Sequence, residues 1–166
     1  DSCKPTPDGV YTFSVPADTP KGIYKVSVGK GASFDFIVST DTIVRFETYS
    51  FAVEDSLKVK QSAENEVFIN FRKLRQKAEQ KMWLIESLRK YYTEPTMFSQ
   101  MLENEHQRTA FDLYMQGNAL ASKANSSLVS SAIRLELTPQ PITQGDECSV
   151  KKELSEIWWQ GIDLTN

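Results

Sequence analysis

Residues 62–88, SAENEVFINFRKLRQKAEQKMWLIESL, carry the clearest structural signal in this chain. Ser62 is a favourable helix N-cap, and Glu64 and Glu66 follow it where the positive end of a helix dipole stabilises acidic groups. Apolar residues then recur three or four positions apart, which predicts one long amphipathic helix ending near Tyr92. The predicted buried face contains Val67, Phe71, Leu74, Ala78, Met82, Ile85 and Leu88.

Three further helices are predicted downstream of this stretch. A second long helix over residues 96–121 follows after a short connection, which predicts an antiparallel hairpin with the first. A third, shorter helix over residues 127–137 ends before Pro139, and a fourth is expected to begin near Ser149. The predicted buried face of the second helix contains Phe98, Leu102, His106, Thr109, Leu113, Gly117 and Leu120.

The region before the first helix has short segments typical of β-strands. Residues 10–15, 23–28, 33–38 and 42–48 are rich in β-branched and aromatic side chains, and turn sequences separate them. The turn Gly29-Lys30-Gly31 suits a hairpin because glycine accepts a positive φ. These segments predict a four-stranded antiparallel meander with one face covered by the helices.

The order of these elements predicts an α+β architecture. Residues 1–54 are expected to form a small antiparallel β-sandwich-like unit that is incomplete at its N-terminus, and residues 55–166 a helical bundle of about four helices. The only shift in composition that marks an internal boundary falls near residues 55–62. With 166 residues, 40% of them hydrophobic, the chain is long enough to form a real core.

The charge and hydropathy of the chain exclude some partners. A net charge of -3 argues against nucleic acid as the main partner, since phosphate binding needs a concentrated positive face. No apolar run of about 18 residues occurs, so no transmembrane segment is predicted. One basic cluster lies within the first helix and is interpreted as its solvated side: Arg72, Lys73, Arg75, Lys77 and Lys81.

No pattern in the sequence points to a catalytic, cofactor-binding or metal-binding residue. The single histidine, His106, lies on the apolar seam of the second helix and is interpreted as a hydrogen-bonded core residue. Phosphate-loop, GxSxG and HExxH motifs are absent from the sequence. The chain is therefore expected not to be an enzyme. An enzyme using scattered groups such as Asp35, Glu47 and His106 is the least favoured hypothesis.

The two cysteines and two aromatic pairs leave alternatives open. Cys3 and Cys148 either form a disulfide in an oxidising compartment or stay as unpaired thiols. Neighbouring aromatic residues on a helix point about 100° apart, so only one of each pair needs to lie in the core, and the other is a candidate for an interaction surface. Packing in the core is the favoured interpretation of these aromatic residues. The two pairs are Tyr91 with Tyr92 and Trp158 with Trp159.

An ordered series of motifs resembles a known family. The motifs are GVYTF at 9–13, GIYKV at 22–26, FDFIV at 34–38, DSLKV at 55–59, SAEN at 62–65 and WWQGIDL at 158–164. Together they resemble the N-terminal domain, of unknown function, of thioredoxin-like (TlpA-like disulfide reductase) proteins from the envelope of Bacteroidetes-type bacteria. The resemblance spans roughly residues 9–166. It implies a β-sandwich and helices in front of a thioredoxin fold.

The resemblance implies a location and a role, but no activity for these residues. It implies export to the periplasm or attachment at the outer membrane, often as a lipoprotein, although Cys3 fits a lipid anchor poorly. No CxxC motif is present, so no catalytic residue is carried over. The chain is expected to be an accessory domain that positions a downstream thioredoxin-like domain or binds a protein client. The alternative is a structural or scaffolding component of a cell-envelope assembly.

The same compartment adds a hypothesis about modification. The segments Asp41-Thr42-Ile43 and Asp55-Ser56-Leu57 match a short pattern that such bacteria can O-glycosylate. Thr42 and Ser56 are thus candidate glycosylation sites, and both are predicted to lie at the boundaries of strands or helices.

Overall fold

The computed structural model describes residues 4–28, 31–138, 152 and 154–156. Short strands come first and long helices follow, which confirms the mixed α+β architecture. The strands pair as two separate two-stranded antiparallel sheets. The elements are β1 (Gly22–Val28), β2 (Ala32–Val38), β3 (Arg45–Glu47), β4 (Lys58–Gln61), α1 (Ala63–Arg89), α2 (Met97–Lys123) and α3 (Ser127–Glu136).

The hairpin of β1 and β2 agrees with the strands predicted over residues 23–28 and 33–38. Its register pairs Gly22 with Val38 and Val28 with Ala32. Gly31 has a φ of +102°, a conformation that residues with a side chain rarely adopt, so it supports the predicted turn. β2 is the more deeply buried strand, because the core covers Phe34, Phe36 and Ile37.

The second sheet differs from the prediction at both of its strands. The strand expected over residues 42–48 is limited to β3, and its partner β4 was not predicted. β4 has the burial pattern of a mostly exposed strand and only four residues, so its period-2 signal is weak. It lies beyond residue 54, and therefore the β structure continues past the predicted boundary between the two parts of the chain.

The first predicted strand is wrong. Residues 10–15 belong to no strand, and their side chains are exposed. The expected four-stranded meander is therefore replaced by two separate pairs, and this pairing by itself does not show a β-sandwich among the described residues. The physical reason is that a strand needs a partner for its backbone groups, and β1 uses only its β2 edge.

The helices α1, α2 and α3 begin and end close to the predicted positions, which confirms these three predictions. Ser62 is the N-cap of α1, and its side chain accepts a hydrogen bond from the backbone N–H of Asn65. Thr96 caps α2 and forms a reciprocal capping box with Ser99. α1 and α2 pack against each other as the expected hairpin, and α3 then packs against both.

Part of the predicted fourth helix lies in the described region, since residues 152 and 154–156 are helical. The remainder of that prediction lies outside the described residues. Among the helices that are described, none is long and apolar enough to cross a membrane.

A single hydrophobic core joins the β structure to the helices. Phe68 and Phe71 of α1 are buried at its centre, together with Val129 and Ile133 of α3. α2 approaches this core closely at Gly117, where a Cβ would lie 2.6 Å from Cδ2 of Leu137. The other buried members of the cluster are Phe34, Phe36, Ile37, Val53, Leu57, Ile69, Ala121, Ala132 and Leu137.

Candidate interaction surface

The N-terminus of α1 is joined to β2 by a buried amide. Asn65 has no exposed surface; its Oδ1 accepts from the backbone N–H of Ile37 at 2.7 Å, and its Nδ2 donates to the Ile37 carbonyl at 2.9 Å. One side chain thus provides the two bonds that a neighbouring strand would provide. The junction is a structural connection that leaves no backbone group of Ile37 for a ligand.

Ser62 reinforces the same junction from an unusual backbone conformation. Its φ is +135°, a strained region for a residue with a side chain. Its Oγ accepts from the backbone N–H of Asn65 at 3.1 Å and from Asn65 Nδ2 at 2.9 Å, and it donates to Asp41 Oδ2. These hydrogen bonds hold the start of α1 against the turn that follows β2.

A cleft of about 220 Å³ lies between β2, the segment before β4 and α1. Its cations are already engaged: Arg72 lies 3.2 Å from Glu136 and 3.5 Å from Asp35, and Lys73 Nζ donates to the Leu57 carbonyl at 2.5 Å. Arg72 and Lys73 are therefore engaged within the protein, and the ion pairs of Arg72 connect α1 to β2 and α3.

Arg75 belongs to the same network. Burial works to lower its pKa, but hydrogen bonds to Glu79 and Glu136 outweigh burial and raise the pKa above its ordinary value. The interpretation of the basic cluster as a solvated helix side is thus corrected for Arg72 and Arg75, which link α1 to β2 and α3. Lys77 is exposed, as predicted.

The histidine lies in the helical hairpin, away from this cleft. His106 Nε2 is 3.6 Å from Glu86 Oε1, and about a quarter of the His106 side chain, 26%, is exposed. It therefore lies at the edge of the hairpin seam instead of in the core. Among the described residues, no group of three or more His, Cys, Asp and Glu side chains could hold a metal ion.

Apolar side chains lie exposed at the far end of the hairpin. We call this the distal patch and define it as Leu84, Leu88, Tyr91, Met97 and Met101. Tyr91 is 84% exposed and Met97 is 79% exposed, values that are high for large apolar groups. Close by, Tyr92 and Phe98 pack edge to face with ring centroids 4.8 Å apart and close the turn between the helices.

The members of the distal patch share one side of the hairpin. Leu84 and Leu88 are four residues apart on α1, and Lys81 precedes Leu84 on the same side of that helix. Met101 and Glu105 are likewise four residues apart on α2. Lys81 and Glu105 form an ion pair between the helices, so both apolar stripes lie on the side where that pair lies.

The opposite side of the hairpin is charged. Glu86 is two residues from both Leu84 and Leu88, which places it on the other side of α1. It approaches His106 there, and Arg89 Nη2 lies 2.6 Å from Glu103 Oε2. One side of the hairpin tip is thus apolar and uncovered, while the other is covered by ion pairs.

The structure brings two of the candidate interaction residues together. Tyr91 and Tyr92 both lie at the hairpin turn and are exposed, at 84% and 49%, so the interpretation as core residues is wrong for this pair. The structure does not place Trp158, Trp159, Cys3 or Cys148, which lie outside the described residues. The disulfide and the tryptophan surface therefore stay predictions.

The two candidate glycosylation sites differ in their surroundings. Thr42 is exposed. Ser56 Oγ donates to the Ala52 carbonyl at 2.5 Å, accepts from the Tyr49 N–H at 2.8 Å and pairs with Thr48 Oγ1 at 2.8 Å. A sugar on Ser56 would remove the proton that it donates, whereas a sugar on Thr42 disturbs none of these bonds.

Sequence reasoning missed most of the distal patch. Leu88 was assigned to the buried face of α1, but it is 43% exposed because α2 does not cover that side. Leu84, Met97 and Met101 were not singled out. A detectable signal was present, since Leu84 with Leu88 and Met97 with Met101 repeat at four-residue spacing.

Comparison with family models, with curated proteins and with solved structures gives no match for this chain.

Proposed function

We propose that this chain is a non-catalytic accessory domain that binds protein through the distal patch. The observation that carries the proposal is the set of exposed apolar side chains on one side of the hairpin tip, led by Tyr91 and Met97. Contiguous exposed apolar groups bordered by polar residues are typical of protein-binding surfaces. The partner would be a downstream thioredoxin-like domain or its client, in the periplasm or at the outer membrane.

The composition of the patch supports a protein partner. Methionine adapts its shape to different apolar surfaces, and tyrosine combines a large apolar ring with a polar hydroxyl. The ion pair Lys81–Glu105 lies on the same side as the patch and would form part of the polar rim of such an interface. The hairpin itself supports the patch, because α1 and α2 pack against each other.

The β-sandwich-like form of the first unit is part of the same proposal. Phe46 of β3 packs edge to face against Phe34 and Phe36 of β2, with centroids 5.1 and 5.9 Å apart. These contacts bring the two small sheets together through their aromatic side chains. They support, at the scale of two short hairpins, the arrangement that the resemblance implies.

The test is site-specific photo-crosslinking of the full-length protein in its source cells. A benzoylphenylalanine at Tyr91 is expected to capture one defined protein or the downstream domain. The matched control is Trp83, which is aromatic and 68% exposed on the same helix but is rotated about 100° from Leu84. Equal crosslinking from both positions, or none from Tyr91, would contradict the proposal.

A second variant separates specific contact from proximity. Met101→Asp puts a charge in the centre of the patch without touching the buried core, since Met101 is 60% exposed. It is expected to abolish the Tyr91 crosslink and leave the fold intact by circular dichroism. Sequencing of the full-length gene then decides the redox link: a downstream CxxC supports the accessory role, and its absence favours the envelope scaffold.

A further inference from the structure

The outer edge of β1 has the groups needed to accept another strand. β1 pairs only with β2. Because the N–H and C=O of Ile37 bond to Asn65, they point away from β1, and the Ile23–Ile37 pair is one that exchanges no backbone hydrogen bonds. Because hydrogen-bonded and non-hydrogen-bonded pairs alternate along an antiparallel ladder, the pairs of Lys25 and Ser27 with their β2 partners also exchange no backbone hydrogen bonds.

The backbone groups of Ile23, Lys25 and Ser27 therefore point outward from the sheet. In the part of the chain that the structure describes, no hydrogen bond reaches these outward groups. A row of unpaired donors and acceptors on an exposed edge is the template for strand addition. Such an edge is usually blocked by charge, proline or a covering element, and Lys25 is the one charged residue in β1.

A matching strand sequence is present in the same chain. Residues 10–15, VYTFSV, have strong β propensity but belong to no strand, and Tyr11, Phe13 and Val15 are 42–52% exposed. Val10, at the start of the segment, forms local hydrogen bonds to Thr6 through its N–H and C=O. The connection to β1 is ordered: Thr19 N–H donates to the Pro16 carbonyl, and the Tyr24 hydroxyl donates to the Pro20 carbonyl at 2.7 Å. Among the described residues, the segment is not paired with the edge of its own β1.

The two faces of the segment match the two faces of β1. Alternation places Tyr11, Phe13 and Val15 on one face of an added strand, and Val10 with the small polar residues Thr12 and Ser14 on the other. On β1, Tyr24, Val26 and Val28 pack against the core cluster while Ile23, Lys25 and Ser27 face solvent. The apolar face of the segment would therefore continue the apolar face of the sheet.

We propose that residues 10–15 of one copy add as an antiparallel strand to the outer edge of β1 in a second copy, and reciprocally. The exchange is isologous, so one contact repeated twice closes a dimer. It extends each β1–β2 hairpin to three strands and covers Tyr11, Phe13 and Val15. It uses a surface separate from the distal patch, so it does not depend on the proposed function.

The experiment measures molar mass by light scattering from micromolar to millimolar protein, with reductant present so that cysteines cannot link copies. The wild-type mass is expected to rise to that of a dimer. Lys25→Pro removes one outward-pointing N–H but no hydrogen bond between β1 and β2, so this variant should stay monomeric. Lys25→Thr keeps that N–H and should dimerise like the wild type. Phe13→Lys should raise the dimer dissociation constant by more than about tenfold.

Each outcome decides the proposal. Monomeric wild type at every concentration overturns it, as does a dimer that Lys25→Pro and Phe13→Lys leave unchanged. If circular dichroism finds Lys25→Pro unfolded, Phe13→Lys decides alone, because Phe13 is exposed and outside the core cluster. A benzoylphenylalanine at Phe13 should crosslink to β1 of another copy in mixtures of heavy and light protein, and crosslinks confined to its own chain would overturn the exchange.

Discussion

The two halves of α1 have the same helical pattern but opposite surroundings. In the first half, Asn65, Phe68 and Phe71 have at most 1% of their surface exposed and contact the sheets and α3. In the second half, the buried apolar residues are Ala78 and Ile85, and both lie outside the main core cluster. Amphipathic periodicity therefore makes both halves helical. Whether the sheets and α3 pack against a half decides which of its apolar residues are covered.

The largest difference between the halves should appear when an aromatic ring is removed from each. Phe71→Ala is expected to lower the free energy of unfolding by about 3–5 kcal/mol, because it leaves a cavity at a site with no exposed surface. Trp83→Ala, at a 68% exposed site, should change it by less than about 0.5 kcal/mol. Urea unfolding followed by circular dichroism measures both. Similar losses for the two variants would contradict the difference in burial between the two halves of α1.

The next largest effect concerns the polar junction at the start of the first half. Asn65→Ala leaves the N–H and C=O of Ile37 without their partner, so we expect a loss of about 3 kcal/mol. Amide exchange of Ile37 should accelerate with it. Asn70→Ala, on the exposed side of the same helix, is the control and should be nearly neutral. Unchanged exchange at Ile37 would mean that Asn65 does not hold β2.

A smaller effect is expected from the close approach of α2 to the core at Gly117. In Gly117→Ala the new Cβ would lie 2.6 and 2.9 Å from the Leu137 methyl carbons, and the resulting strain exceeds the gain in helix propensity of about 1 kcal/mol. We expect a net loss of about 1 kcal/mol. In a Leu137→Ala background the same change should become neutral or stabilising, and a double-mutant cycle by urea unfolding measures the coupling.

The smallest effect compares exposed ion pairs at the two ends. A hydrogen bond from Lys81, together with its charge, lowers the pKa of Glu105 in the hairpin, and Lys60 does the same for the pKa of Glu47 in the second sheet. Since both folded pKa values are lowered, each pair stabilises the fold above the unfolded pKa, and this contribution is lost as pH falls through the folded pKa. In Lys81→Met, carboxyl resonances titrated by NMR should show the Glu105 pKa rising and that of Glu47 unchanged. A Glu105 pKa that stays low would contradict the assigned cause.

Local signals were enough to predict the helices. Ser62, Thr96 and Pro139 mark helix boundaries through backbone chemistry that acts within one turn, and the described helices begin and end close to the predicted positions. The hairpin also followed from the short connection between α1 and α2. The sheets were predicted less well. Residues 10–15 have the composition of a strand but pair with no other strand, whereas β4 pairs with β3 although its alternation of apolar and polar residues is weak.

The distal patch was predicted only in part, because a sequence pattern does not report what covers a helix face. Tyr91 and Tyr92 were singled out as an adjacent aromatic pair, and both lie exposed at the hairpin turn. Leu88 was assigned to the buried face because periodicity reports which side of a helix is apolar without reporting what covers it. The distal patch could be identified only from the tertiary structure, because the Lys81–Glu105 ion pair shows that the two apolar stripes lie on the same side of the hairpin.

The amino-acid sequence by itself determined where the helices start, where they stop and that strands precede them, because caps, turns and periodicity act between near neighbours in the chain. Tertiary structure alone decided which strands pair, that Asn65 takes the place of a strand beside Ile37, and which apolar side chains stay uncovered. Those outcomes depend on groups that meet from distant parts of the chain, and a backbone hydrogen bond or a buried ring is stabilised only when such a partner is present.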